Sequence, residues 1–237
     1  MGGGGAETTP AAGTHSTAGA ALGGEAGGAG APGETIAGCE LLYEAGHGDL
    51  FVDFSAKIGL SLAVRSAFPP ADKETLVALG RVCVVVPHAS LELAASFGGR
   101  PEGAQFDFIG VPPGASFWLL PAVAERGMPW FGASTERLPP GQYEGDELEL
   151  SLSPLEVPEG ANVACWTTDA LGKSAPLFSS EQGRLKQRFS TGVHMHFNWS
   201  FSHEGTYRLA FEAKGKRVPS GAEESSGAAT LRFEVRP

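Results

Sequence analysis

Basic side chains are scarce in this sequence and do not cluster. The chain has 17 lysines and arginines against 27 aspartates and glutamates, so its formal net charge is −10 at pH 7. Proteins that bind nucleic acids neutralise phosphates with clustered Lys and Arg. The composition therefore argues against a nucleic-acid partner, and the acidic balance favours cations as ligands.

Long apolar runs are also missing. No stretch approaches the roughly 20 apolar residues that a membrane-spanning helix needs. No basic segment followed by an apolar segment marks a secretory signal peptide. We therefore expect contact with a membrane only through a lipid anchor at the amino terminus.

Cysteine is rare, with three residues at wide spacing: Cys39, Cys83 and Cys165. They form neither a CxxC metal motif nor a complete disulfide framework. Two interpretations remain open, namely one bridge with a spare thiol, or buried free cysteines that act as small hydrophobic side chains. The apolar surroundings "VCVVVP" and "NVACWTT" favour the second interpretation.

Catalytic motifs are lacking. The sequence contains no GxSxG elbow, HExxH helix, phosphate-binding glycine loop or closely spaced carboxylate pair in a convincing context. Glu147 and Glu149 alternate with leucines and are expected on the solvated face of a strand. Trp118, Trp130 and Trp166 are expected in the core rather than on a ligand-binding platform. We predict a protein that is not an enzyme.

The first 38 residues differ in composition from the rest. This Gly/Ala/Ser/Thr tract has no aromatic residue and cannot bury enough surface to offset its conformational entropy. We predict a disordered tether over residues 1–38 and a single domain over 39–237. The tract is similar to the start of a mature bacterial lipoprotein, with Met1 at the place of the lipidated cysteine, which implies a location in the bacterial cell envelope.

Beyond Cys39 the hydrophobic pattern alternates with a period of two, which is typical of half-buried strands. The inward positions form four sets: Leu50, Val52 and Phe54; Leu60, Leu62 and Val64; Leu148, Leu150 and Leu152; Leu231, Phe233 and Val235. Turns rich in Pro and Gly separate these runs. The pattern predicts an all-β, antiparallel β-sandwich, immunoglobulin-like or jelly-roll-like, with at most one short helix over Pro70–Gly80.

The segment "HMHFNWSF" alternates histidines with large apolar side chains. In a strand, His194, His196, Asn198 and Ser200 share one face, while Met195, Phe197, Trp199 and Phe201 share the other. The turn Glu204-Gly205 predicts a hairpin with the following "TYRLAFEA". Tyr207, Leu209 and Phe211 should then join Trp199 in the core.

Two pairs of metal-binding side chains have the same spacing. His194 and His196 are two residues apart in one strand, and His47 and Asp49 are two apart in "GHGDL" at the start of another. Imidazole ligands suit zinc, with copper as the alternative, whereas oxygen-rich sites suit calcium or magnesium. We predict a transition-metal site of His47, His194 and His196 completed by Asp49 or water. His15, His88 and His203 are not expected to be ligands.

Three segments, in order, resemble the choice-of-anchor M domain, a bacterial surface-anchored domain related to actinobacterial repeats associated with ABC transporters. They are "GHGDL", "FWLLPAVAERGMPWFGASTE" and "GVHMHFNWSFSHEGTYRLAFEA", and the resemblance covers residues 41–236. The most specific element is HxHxNWxF followed by GxYxLxF. The resemblance implies a surface-attached module and a link to uptake of zinc or manganese with an envelope or transporter partner. No anchor segment follows the last strand, so attachment is expected through the amino-terminal tract.

Three functions follow from these patterns. The leading hypothesis is a cell-envelope binding module with one transition-metal site, not an enzyme. The first alternative is a structural or adhesive surface domain whose polar strand face is a hydrogen-bonded network. The second alternative is a metal-dependent enzyme that uses an open coordination position.

Overall fold

The computed structural model describes Met1 and residues 36–68 and 73–237. Ile36–Pro237 forms one compact unit. The predicted tether over residues 1–38, its lipid anchor and His15 lie almost entirely outside the described residues. At the edge of that region, the carbonyl of Ala37 accepts a hydrogen bond from Arg232 at 2.7 Å.

The described chain is built mainly from strands in three sheets. The seven-stranded sheet contains β1 (Leu41–Tyr43), β5 (Val82–Val86), β8 (Glu147–Glu156), β11 (Lys186–Ser190), β14 (Gly205–Lys216), β15 (Glu223–Ser225) and β16 (Ala229–Val235). The five-stranded sheet contains β2 (Gly46–Ser55), β3 (Gly59–Ser66), β4 (Thr75–Ala78), β7 (Pro129–Ser134) and β12 (His194–His196). The four-stranded sheet contains β6 (Trp118–Leu120), β9 (Val163–Thr168), β10 (Ser174–Ser179) and β13 (Asn198–Phe201).

Most neighbouring strands are antiparallel. The orders are β1-β5-β16-β14-β8-β11, with β15 beside β14, then β12-β7-β2-β3-β4, and β10-β9-β13-β6. Parallel pairs join β5 to β1 and β16, and β2 to β7. The predicted all-β fold with at most one short helix is confirmed.

The position of the helix was predicted wrongly. Part of Pro70–Gly80 lies outside the described residues, and Thr75–Ala78 is strand β4, followed by a 3-10 turn at Leu79–Arg81. The edge of the sheet imposes the extended form, because Val77 pairs with Val64 of β3. The α-helix of the described chain is α1, Ala89–Ser96, and further 3-10 turns lie at Ala104–Ile109 and Glu144–Asp146.

One aromatic side chain from each sheet meets at the centre of the core. Trp199 of β13 lies 5.7 Å from Phe131 of β7 and 5.2 Å from Phe233 of β16, measured between ring centroids. All three are almost fully buried. Such aromatic pairs contribute about 0.5–1.5 kcal/mol each beyond the area that they bury. The three sheets therefore pack around one shared core.

The predicted inward positions of the strands are confirmed. Leu148, Leu150 and Leu152 of β8, the apolar residues of β16 and the inward residues of β2 and β3 all belong to or pack against this core. Trp118 also lies there and Trp166 joins a second cluster beside α1, whereas the expectation is wrong for Trp130, which is only partly buried and belongs to neither cluster.

The segment "HMHFNWSF" is divided between two sheets, so the predicted hairpin is wrong. β12 pairs with β7, whereas β13 pairs with β6 and β9, and β14 pairs with strands of the seven-stranded sheet. The turn after β13 carries the chain from one sheet to another, and there Tyr207 donates a hydrogen bond to the His203 carbonyl at 2.8 Å. Tyr207, Leu209 and Phe211 nevertheless enter the core as predicted.

The outward face of β13 is covered. Ser200 is fully buried because it pairs with Leu119 and Ala164, which belong to the second cluster. The polar face predicted for the whole segment therefore reaches solvent at His194, His196 and Asn198 but not at Ser200.

Cys39 and Cys83 form a disulfide bond, and Cys165 is a buried free thiol. The expectation of free cysteines is thus wrong for Cys83, and the interpretation with one bridge and a spare thiol is confirmed. Parallel pairing of β1 with β5 brings the two half-cystines together, since Leu42 lies opposite Cys83. Among the described residues, no helix has the length and hydropathy to span a bilayer.

Candidate metal centre

Strand β7 lies between the two strands that carry the predicted ligands. Asp49 of β2 and His196 of β12 both pair with Gly132 of β7, from opposite sides. His47 pairs with Trp130, and His194 pairs with Ser134. The register of three strands therefore aligns two ligand pairs that are distant in sequence. His194 lies 145 residues after Asp49.

Gly132 leaves space over the middle strand. Strands β2 and β12 are two strand spacings apart, about 10 Å, so their side chains must meet above β7. A Cβ atom at Gly132 would lie 2.9 Å from Nδ1 of His196 and 2.4 Å from the Met195 carbonyl oxygen. Only glycine permits this close approach of β12 to β7 and the position of the His196 imidazole beside residue 132.

The four side chains converge on one point. Nε2 of His194 lies 3.3 Å from Nε2 of His47, 3.1 Å from Nε2 of His196 and 2.9 Å from Oδ1 of Asp49. One ligand atom from each residue lies within 4.8 Å of every other. The predicted set His47, Asp49, His194 and His196, hereafter the His/Asp cluster, is thus brought together.

These separations suit a four-coordinate ion. Zinc–nitrogen bonds of about 2.0–2.1 Å in a tetrahedron place neighbouring ligand atoms about 3.3 Å apart. The His/Asp cluster shows 3.3 and 3.1 Å between imidazoles, and 3.8 Å between Nε2 of His196 and Oδ1 of Asp49. The donor set of three imidazoles and one carboxylate therefore fits a transition-metal ion.

The contacts of His194 leave hydrogen-bonding groups in conflict unless a cation lies between them. Its Nε2 faces two imidazole nitrogens and one carboxylate oxygen, all within 3.3 Å. One ring nitrogen carries at most one proton and can satisfy only one of these acceptors. A metal ion would be shared by all four ligand atoms.

A carboxylate lies beside the outer nitrogen of each of two histidines, and one of these contacts is a hydrogen bond. Nδ1 of His47 lies 2.7 Å from Oε1 of Glu74, a contact that favours the tautomer with the proton on Nδ1 and the lone pair on Nε2. Nδ1 of His194 lies 3.8 Å from Glu136. Hydrogen bonds from Ser134 and Arg65 lower the pKa of Glu136, so this side chain stays ionised beside the cluster.

His196 is the most enclosed of the three imidazoles. The indole of Trp130 stacks on it, and the Trp130 N–H donates to the Ala122 carbonyl at 2.8 Å, which fixes the indole. Burial lowers the pKa of His196 to about 4, although the negative charge of Asp49 acts in the opposite direction. Its Nδ1 is buried without a hydrogen-bond partner in the described structure. His196 is therefore a neutral imidazole at physiological pH, as a metal ligand must be.

Arg65 of β3 lies behind the carboxylate ligand. Its Nε and Nη2 donate to Oδ2 of Asp49 at 3.1 and 2.8 Å. Asp49 is fully buried, so this ion pair compensates its charge inside the protein. Nη2 of the guanidinium also donates a hydrogen bond to Oε2 of Glu136 at 2.9 Å.

Two histidines predicted not to be ligands belong to the described residues, and both lie elsewhere. His88 precedes α1, and His203 contacts Ser202 in the turn before β14. The supporting residues were not predicted: Arg65, Glu74, Trp130, Gly132 and Glu136 lie on separate segments. A signal existed only for "PWFGAS", where the alternating Trp130, Gly132 and Ser134 mark one face of a strand.

No protein-family model matches this chain, and no curated protein matches it. The fold and the His/Asp cluster thus define an all-β protein with a group of side chains that could hold a metal ion.

Proposed function

We propose that this protein is a cell-envelope binding module that holds one transition-metal ion, with zinc favoured and copper as the alternative, and that it is not an enzyme. The observation that carries the proposal is the convergence of His47, Asp49, His194 and His196 within 4.8 Å. Nitrogen-rich sites of this kind select zinc or copper over calcium and magnesium.

The number of protein ligands supports binding rather than catalysis. Catalytic zinc sites commonly have three protein ligands and keep the fourth position for water or substrate. Here three histidines and Asp49 would fill a tetrahedral set. The metal-dependent enzyme remains the alternative hypothesis, and it would require an open coordination position, either as a fifth site or after one of the four leaves the ion.

Exposure of two ligands supports exchange of the ion with a partner. His47 and His194 are 27% and 29% exposed, whereas Asp49 is fully buried. An ion would thus be reached from the side of the two exposed imidazoles. The resemblance to the choice-of-anchor M domain suggests a role in metal uptake. The ion would pass to or from an envelope or transporter protein as partner.

The Cys39–Cys83 disulfide supports a location outside the cytosol, because disulfides persist mainly in oxidising compartments. The bacterial periplasm or cell surface is such a compartment. Attachment through a lipid at the amino terminus completes this proposal, and its support is the composition of the first 38 residues.

The test is metal binding by the untagged protein. We expect one zinc ion per chain by elemental analysis and calorimetric titration. Binding should also raise the melting temperature, since an ion at 100 times its dissociation constant adds about 2.7 kcal/mol to the free energy of unfolding. His194→Ala and His196→Ala should each abolish this shift.

His203→Ala is the matched control, because His203 lies in a turn and contacts Ser202 rather than the cluster. It should bind zinc like the wild-type chain. Wild-type protein without stoichiometric zinc or copper would contradict the proposal and favour the structural or adhesive alternative. Equal loss of binding in His203→Ala would show that the ion lies elsewhere.

A further inference from the structure

We propose that Arg65 determines which metal ion the His/Asp cluster accepts, by holding Asp49 as a one-oxygen ligand. This inference rests on the proposed function, because it concerns the same site. It adds a residue that does not touch the ion and sets the coordination number through Asp49.

The two oxygens of Asp49 have different surroundings. Oδ1 faces the imidazoles, at 2.9 Å from Nε2 of His194. Oδ2 accepts hydrogen bonds from both Nε and Nη2 of Arg65, at 3.1 and 2.8 Å. Two donors on one carboxylate oxygen occupy its two in-plane lone pairs, so Oδ1 alone is free to bind an ion.

Without Arg65, the second oxygen could reach the ion. Oδ2 lies 3.5 Å from Nε2 of His47, a separation like those between the other ligand atoms. A small rotation of the carboxylate would therefore bring both oxygens to the ion. Arg65 prevents this rotation, because its guanidinium offers two fixed donors to one oxygen.

The position of Arg65 is itself fixed from several sides. Its guanidinium lies over the Phe51 ring, 4.8 Å from the centroid, and bonds Glu136 at 2.9 Å. Its Nε also lies 3.7 Å from Glu74, the carboxylate that contacts His47. Arg65 thus connects the carboxylate ligand to Glu74, which bonds His47, and to Glu136, which lies beside His194.

Coordination number separates zinc from manganese. Zinc in protein sites is usually four-coordinate and tetrahedral, whereas manganese prefers octahedral sites rich in oxygen. A one-oxygen Asp49 gives a four-ligand set that suits zinc. A two-oxygen Asp49 would give five ligand atoms and a site more favourable to manganese.

The experiment compares wild-type protein with Arg65→Met, loaded separately with zinc, manganese and cobalt(II). Cobalt(II) reports geometry, since tetrahedral sites absorb visible light strongly and sites of higher coordination absorb weakly. We expect strong absorption in the wild type and a clear loss of intensity in Arg65→Met. Zinc affinity should fall about 10- to 100-fold, as for other residues that orient a ligand, and manganese affinity should fall less or rise.

Two further variants keep the result interpretable. Arg65→Lys retains the positive charge beside buried Asp49 and should fold even if Arg65→Met does not; we expect a smaller change in the same direction. Arg137→Met is the matched control, because Arg137 also lies over the Phe51 ring, at 5.3 Å, but bonds Asp53 instead of Asp49. It should keep the wild-type spectrum and affinities.

The outcomes distinguish this inference from the proposed function. A wild-type chain that binds none of the three ions, and no copper either, would overturn the metal site, and the role of Arg65 with it. The role of Arg65 alone would be overturned by a different result. In that case the wild type binds zinc, and the Arg65 variants keep both the wild-type cobalt spectrum and the wild-type ratio of zinc to manganese affinity.

Discussion

The indole of Trp130 stacks on the imidazole of His196, with ring centroids 3.8 Å apart and planes inclined by 15°. Trp130 is two residues from Gly132, the residue that pairs with His196, so one face of β7 provides both the space for the imidazole and the wall against it. This contact fixes the ring plane of a proposed ligand and removes it from water.

Replacing Trp130 should weaken metal binding without unfolding the protein. We expect Trp130→Leu to lower zinc affinity about 10-fold, because a less constrained His196 must be ordered when the ion binds. Calorimetric titration of zinc into Trp130→Leu measures this affinity. Intrinsic fluorescence tests the contact itself: zinc should change the emission of the wild type but not of Trp130→Phe. Trp166→Phe, in the second core cluster, is the control and should retain the change.

A methyl group at Gly132 should destroy the site. Gly132→Ala would place Cβ 2.4 Å from the Met195 carbonyl, so β12 must move and His196 must leave its position. We expect loss of stoichiometric zinc and a lower melting temperature. Gly80→Ala is the control, because a Cβ there meets no atom within 4 Å. Zinc binding by Gly132→Ala at wild-type affinity would refute the importance of this close approach.

In metal-free protein, truncating a core residue should lower the free energy of unfolding far more than truncating a residue of the His/Asp cluster. Trp199 is 1% exposed at the junction of three sheets, and truncating such an aromatic costs about 3–5 kcal/mol, so Trp199→Ala should be severely destabilised. His194→Ala should cost less than about 1 kcal/mol, because His194 is a partly exposed polar residue with little packing. Denaturant melts in the presence of a chelator measure both values. Similar losses of stability in the two variants would show that His194 contributes to the packing of the core.

Acid should destabilise the metal-free protein through His196. The pKa of His196 is about 4 in the folded protein, against an ordinary value of 6.5. Between these values the unfolded chain binds a proton that the folded chain excludes, so the free energy of unfolding falls as pH decreases across this interval. Chelator-treated protein melted between about pH 4 and 7 should show this slope.

His196→Gln should flatten that dependence, because it removes the group responsible. The control is His203→Gln, which leaves His196 in place and should keep the wild-type slope. An identical slope in wild type and His196→Gln would assign the acid sensitivity to other residues.

The sequence by itself determined which side chains face the core and which could bind a metal. Alternation in β2, β8 and β16 predicted their core-facing residues because successive side chains of a strand point to opposite faces. The i, i+2 spacing of His47 with Asp49 and of His194 with His196 indicated two ligand pairs for the same reason. These are local properties, fixed by a few neighbouring residues.

Only the tertiary structure decided which strands are neighbours. Alternation is the same whether β13 pairs with β14 or with β6 and β9, so the wrong hairpin followed from a correct pattern. The helix prediction failed likewise, since pairing with β3 overrides the local preference of Thr75–Ala78. The meeting of the two ligand pairs required β7 between them with glycine at position 132. Arg65, Glu74 and Trp130 act through contacts between distant segments, and no short-range pattern encodes such contacts.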